Sequence, residues 1–330
     1  MLIQVENLRK TYVTYERGHT FKETVASLFV RKQKQIPAVT GISFGIEAGE
    51  IVGFLGPNGA GKSTTLKILT GVLHPTSGAV SVMGYTPWRQ RKHYVRHIGV
   101  VFGQKSQLLW DIPPIDAFYM NKAIYDIPDA EFEETLGRMI ALLDVADVVR
   151  KPTRQLSLGE RMKCEFAMAM LHRPQIVFLD EPTIGLDVIA KEKIRGFIAE
   201  MNKQGVTFIL TTHDLDDVEQ LAQRVIVINH GAIVFDDAIQ RLRTMTGSSK
   251  MLRLTAKRPF GQSFPAGTRL VKRLSDYEAE LAVDTATVEL GQVIQQLSES
   301  FGIKDMSLED PAIEHVIKEL YVAQAGGGGT

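Results

Sequence analysis

The run "EIVGFLGPNGAGKST", residues 50–64, does most to limit what this chain can fold into. Residues 51–55 read as a short buried strand, and the chain from Lys62 to about residue 70 reads as a helix. Between them stand Gly56, Pro57, Asn58, Gly59, Ala60 and Gly61. Glycine gives up more backbone freedom on folding than any other residue, so three in one turn imply a need for bare backbone. The stretch fits G-x-x-x-x-G-K-[ST] with Gly56, Gly61, Lys62 and Ser63. Side chains would keep a polyphosphate from the successive N–H groups of such a turn. The helix start behind it adds partial positive charge. On this reading Lys62 reaches the β- and γ-phosphates, Ser63 ligates Mg²⁺, and residues 56–64 through Thr64 cradle the anion.

A second acidic feature matches the first. In "QIVFLDEP" a four-residue apolar run ends in Asp180 and Glu181. In parallel sheets ligands sit at the carboxyl ends of the strands. Asp180 there would hold Mg²⁺, and Glu181 would orient and polarise an attacking water. Further strands are expected at 2–12, 79–83, 98–102, 207–211 and 225–228, the last forming a hairpin with "AIVFDD". Residues 104–160 look mostly helical. Short buried strands alternating with helices predict a parallel-sheet α/β core carrying a helical insertion. Residues 13–37 break the first strand pattern, and "FKETVASLFVRKQKQ" places Phe21, Val25, Leu28 and Phe29 on one helical face. From about residue 251 two strands and two helices, at 288–301 and 310–322, read as a small α+β appendage, followed by a disordered tail at 325–330.

Several segments between residues 3 and 236 together resemble the nucleotide-binding subunit of an ATP-binding-cassette (ABC) transporter. "LSLGE", residues 156–160, is similar to that family's LSGGQ signature, with Leu158 in place of the first glycine and Glu160 in place of the glutamine. Ser157 and Gly159 match the positions that touch the γ-phosphate; Ser157 with Glu160 also reads as a helix-capping box, and both roles can hold together. The resemblance implies that Gln104 completes the Mg²⁺ sphere and that Asp187 of "IGLD" lies across a dimer seam. It also implies that His213 of "ILTTHD" contacts the γ-phosphate and holds Glu181, and that Tyr12 stacks on adenine, with Tyr15 as competitor. The implied fold is an α/β P-loop NTPase core with an antiparallel β-subdomain and a helical insertion. Residues 1–245 form the cassette and 246–324 the C-terminal α+β domain.

Of the 330 residues, 38 are Lys or Arg and 38 Asp or Glu, which excludes a strong whole-molecule field for nucleic acid, so no nucleic acid partner is expected. One cysteine, Cys164, excludes an internal disulfide. No window approaches the ~18 apolar residues of a membrane-crossing helix. The resemblance therefore implies ATP and Mg²⁺ as cofactors and a second copy as head-to-tail partner. It also implies separate permease subunits, and a peripheral place on the cytoplasmic face of the inner membrane. The 13–37 insertion and the "SLED" pattern at 307–310 resemble those of polysaccharide and drug exporters. An import ATPase, or an ABC ATPase acting on ribosomes or DNA, is the alternative.

Overall fold

The computed structural model describes residues 1–15, 33–103, 105–212, 214–244, 249–261, 263–309 and 317. Gln104, His213, the expected helical face at Phe21–Phe29, most of the helix expected at 310–322 and the tail at 325–330 lie outside the described residues. So does the side chain of Tyr15.

Strands of the first half build two sheets. β1 (Ile3–Tyr15), β2 (Gln33–Ile46) and β4 (Ser77–Val82) form an antiparallel sheet in the order β2-β1-β4. Ile3 and Val5 point inward from β1 as the alternation predicts, and an irregularity between Val5 and Leu8 turns Leu8 inward as well. The ladder runs further than the sequence suggested. Tyr12 pairs with Ile36 and Tyr15 with Gln33, so residues 13–15 and 33–37 are strand, not insertion, and the helical reading of 33–35 is corrected. Residues 33–37 are exposed in this ribbon, and backbone pairing without burial leaves no apolar signature in a sequence.

The second sheet has the order β5-β6-β7-β3-β8-β9, from β3 (Ile51–Leu55), β5 (Ile98–Phe102), β6 (Ile176–Asp180), β7 (Thr207–Thr211), β8 (Arg224–Asn229) and β9 (Ala232–Ala238). The pairs β5–β6, β6–β7, β7–β3 and β3–β8 are parallel. Ile176, Val177, Phe178 and Leu179 are each 0% exposed, which explains their unbroken apolar run: both faces of β6 are covered. Burying each such side chain contributes about 1.5–3 kcal/mol. Helices α1 (Lys62–Leu69), α2 (Pro114–Tyr125), α3 (Asp129–Leu143), α4 (Leu158–Met170), α5 (Val188–Lys203) and α6 (Leu215–Leu221) connect the strands. The carboxyl ends of β3, β5, β6 and β7 thus open on one edge of the sheet.

The chain divides into two compact units, Met1–Asp236 and Asp237–Thr330. In the second, after the short helix α7 (Ile239–Thr244), strands β10 (Ser249–Ala256), β11 (Thr268–Arg273), β12 (Glu278–Asp284) and β13 (Ile303–Glu309) pair antiparallel in the order β11-β12-β10-β13. Helix α8 (Leu290–Phe301) sets Val293 and Leu297 in one core with Leu252, Leu254, Leu281 and Val283. β11 and β13 are additional to the expected strands. Both are edge strands with mostly exposed residues, so neither carries a buried apolar stripe.

Candidate functional site

The glycine turn is built as the sequence requires. Gly61 caps α1 at φ +113°, and a Cβ there would lie 2.5 Å from the Ala38 carbonyl oxygen. No other residue fits that combination of left-handed backbone and close approach. Lys62 opens the helix and is only 6% exposed. Its ammonium donates to the carbonyls of Gly56 at 2.6 Å and Pro57 at 3.1 Å. Burial lowers the Lys62 pKa from the ordinary lysine value, and the Glu181 and Asp180 carboxylates oppose that shift.

Ser63 and Asp180 are 117 residues apart in the chain, yet the Ser63 hydroxyl donates to Asp180 Oδ1 at 2.9 Å. Thr211, directly paired with Asp180 across β6 and β7, donates its hydroxyl to the same oxygen. Glu181 stands just beyond β6 with φ +53°, its N–H bonded to the Thr211 carbonyl at 2.9 Å. Gly103 follows β5 and donates to the Asp180 carbonyl at 2.8 Å. A Cβ on Gly103 would fall 1.9 Å from the Glu181 carbonyl oxygen, so any side chain at 103 would displace the acidic turn. A cleft of about 950 Å³ lies over these groups, lined by Gly56, Asn58, Ser63, Lys105, Asp180 and Glu181 among others. Tyr12 stands beside Thr64 and does not line this cleft. It is 37% exposed, its hydroxyl lies 3.4 Å from that of Thr64, and the Lys10 ammonium sits 5.4 Å from its ring centre.

The remaining expected residues gather elsewhere. Ser157 caps α4: its hydroxyl accepts from Glu160 N at 3.2 Å, while Glu160 Oε2 accepts from Ser157 N at 2.8 Å. The capping box is complete. The Ser157 backbone N–H, then its hydroxyl, hold the Glu160 carboxyl below the usual range, with Lys151 and Lys163 adding to the effect. Asp187 caps α5 by accepting from Ala190 N at 2.8 Å. These two helix starts pack together. A Cβ on Gly159 would sit 2.9 Å from the Ala190 Cβ, and one on Gly185 3.2 Å from Leu158 Cδ2. None of Ser157, Gly159, Glu160 and Asp187 lines the cleft. One chain therefore carries two separate clusters, the glycine turn with its acids and the paired helix starts.

Sequence reasoning missed three contributors: Gly103, Thr211 and a polar tether behind the acidic turn. In that tether Asp217, 1% exposed, accepts from the Thr183 hydroxyl and from Arg195 Nε at 2.7 Å, and Lys191 pairs with Asp214. Thr211 and Gly103 stand at strand ends in the sequence, but only the sheet register brings them beside Asp180.

Residues 39–184 match the family model described as "ABC transporter". The chain is 30% identical over 214 residues to the ABC transporter ATP-binding protein NatA of Bacillus subtilis, covering 65% of this chain and 87% of that protein. This chain belongs to the ABC transporter ATP-binding proteins. It is accordingly an ATPase of the P-loop class. The ABC ATPase also resembles the linearmycin resistance ATP-binding protein LnrL of B. subtilis, at 24% identity over 327 residues, 97% of this chain and 98% of that one. With the energy-coupling factor transporter ATP-binding protein EcfA of Methanococcus maripaludis it shares 32% identity over 200 residues, 60% and 72% of the two chains. Among solved structures, a dimeric post-hydrolysis ATP-binding cassette bound to ADP and Pi superposes with a TM-score of 0.60. It is 24% identical and covers 72% of this chain and 98% of that one.

Proposed function

We propose that this ABC ATPase works as a head-to-tail pair that binds Mg·ATP between copies and powers export through separate membrane subunits. The Ser63–Asp180 hydrogen bond carries the reading, because it joins the end of the glycine turn to the acidic strand end at the mouth of one cleft. The turn's N–H groups and Lys62 bind the β- and γ-phosphates, with the ammonium exchanging its carbonyl partners for phosphate oxygens. Tyr12 supplies a flat face for the adenine. Ser63 Oγ and the Asp180 carboxylate are adjacent hard oxygen donors, which suits Mg²⁺ held by one or two protein oxygens together with phosphates. Among the described residues no group of three or more His, Cys, Asp or Glu is placed to hold a metal by itself. Bound there with Gln104 as a further ligand, Mg²⁺ would neutralise charge building on the phosphates. Glu181 accepts the proton of the attacking water, and His213 contacts the γ-phosphate and steadies Glu181. Ser157 and Gly159 of the second copy close on the γ-phosphate, with Glu160 and Asp187 at the same seam. Loss of that phosphate removes the shared anion and lets the pair open.

No described helix is long and apolar enough to cross a membrane. The helical insertion instead exposes Leu109, Trp110, Tyr119, Met120 and Ile124, between 46% and 65% each, as a surface suited to a membrane subunit. That surface and the resemblance to LnrL along nearly the whole of both chains support export from the cytoplasmic face. The test is to purify the tagged chain from detergent-solubilised membranes with its partners and assay ATP-driven transport in vesicles. Co-purification of membrane subunits with outward transport is expected. A solute-binding protein among the partners, or ribosomes or DNA in their place, would overturn the export reading.

A further inference from the structure

Glu165 lies in the middle of α4, 3% exposed, one turn beyond the capping box. Its Oε1 gathers three donors from one loop: the Ser106 hydroxyl, Gln107 N at 2.8 Å and Leu108 N at 3.3 Å. Its Oε2 is buried with no hydrogen-bond partner. A buried carboxylate is costly unless its bonds hold something in place. Here they fix the loop directly after Gln104 to the helix that begins at Ser157. The loop then presents Leu109 and Trp110, 52% and 57% exposed. Beyond them it is fastened again, by residues just before the same helix. Arg154 N donates to the Trp110 carbonyl at 2.9 Å, Thr153 N and Oγ1 donate to the Ile112 carbonyl at 3.1 and 2.9 Å, and Arg154 pairs with Asp111 at 2.7 Å.

We propose that Glu165 is a positioning residue that makes loop 105–112 and the Ser157 helix one body, so that a displacement at Leu109 and Trp110 is delivered to the phosphate-gripping end of α4. The proposal rests on the ATP-clasping pair of the preceding section. Asp111–Arg154 is a solvent-exposed pair and adds little to the attachment. The buried three-donor contact is the attachment made by α4 itself: without its acceptor the Gln107 N–H loses its bond, and the Ser106 hydroxyl and the Leu108 N–H keep only contacts within the loop, at 3.3 Å to the Leu108 carbonyl and 3.2 Å to Ser106 Oγ.

The single cysteine makes a clean test possible. Cys164 is fully buried, and burial pushes its thiol up to about 12, so maleimide would label only an introduced site. Trp110→Cys carrying an environment-sensitive dye, in the full chain with Glu181→Gln to retain ATP, should change its emission when Mg·ATP is added. With Glu165→Ala added, the emission change should fall at least fivefold while ATP affinity stays within about twofold. Glu165→Gln, which keeps an acceptor oxygen, should restore it. An undiminished response in Glu165→Ala would overturn the proposal, as would a parent protein that binds ATP without any response at position 110. A parent that binds no ATP would instead overturn the nucleotide reading. If Glu165→Ala does not fold, Ser106→Ala removes one donor and should weaken the response alone; an unchanged response there would likewise overturn the proposal.

Discussion

In the proposed mechanism the distinction between binding and hydrolysis comes down to one oxygen of Glu181. Glu181→Gln keeps the shape of the acidic turn but removes the proton acceptor. Turnover should drop by about 10²–10⁴-fold, while ATP affinity measured by equilibrium binding stays near wild type. Sustained turnover would remove Glu181 from its role. Lys62→Ala should act oppositely, weakening ATP binding about tenfold or more, since it removes the charge proposed to lie among the phosphates. Gly103→Ala tests a residue that does not line the cleft. The added methyl must push the Glu181 carbonyl away from a 1.9 Å overlap. Misplacing a reacting group by about 1 Å costs on the order of 10²-fold in rate, so kcat should fall steeply while the melting temperature shifts by only a few degrees. A wild-type kcat in this variant would mean that the turn tolerates displacement.

At the scale of the element, α4 owes its start to the reciprocal bonds of Ser157 and Glu160. Replacing Ser157 by Ala should cost about 1 kcal/mol of stability, read by denaturant titration. Glu160→Gln can keep the reciprocal geometry while removing a negative charge from a helix start proposed to meet a triphosphate. Its ATPase activity should equal or exceed that of the parent, and a tenfold fall would count against the phosphate-facing role. The acid also makes the cap sensitive to pH. Its folded pKa is lowered, so its stabilising contribution is complete above the ordinary glutamate value of 4.5 and disappears as pH falls through the lowered folded value. Amide exchange in the first turn of α4 should accelerate through that acid window in the parent and not in Glu160→Gln. Elements with a buried stripe or a fixed motif were legible in advance: β6, α1, the α4 cap and α8. β11, β13 and the outer ends of β1 and β2 were not, because their residues are mostly exposed and carry no buried apolar stripe. Gly103, Thr211 and Glu165 escaped because their partners are distant in sequence. A glycine, a threonine and a helical glutamate carry no local mark of the register that gives them their task.

For the whole molecule the proposed unit of function is a pair. ATP added to the Glu181→Gln chain should shift sedimentation from one copy toward two, and the shift should be lost when Lys62→Ala is combined with it. A chain that stays single under saturating ATP would overturn the paired reading, whatever its binding affinity. The cleft and the paired helix starts occupy different places on one copy, so each complete site in a head-to-tail pair draws half its parts from each polypeptide. A strain carrying one copy damaged at Lys62 and another damaged at Ser157 would then still assemble one unblemished site per mixed pair. Two alleles that are each inert alone should rescue one another in the same cell.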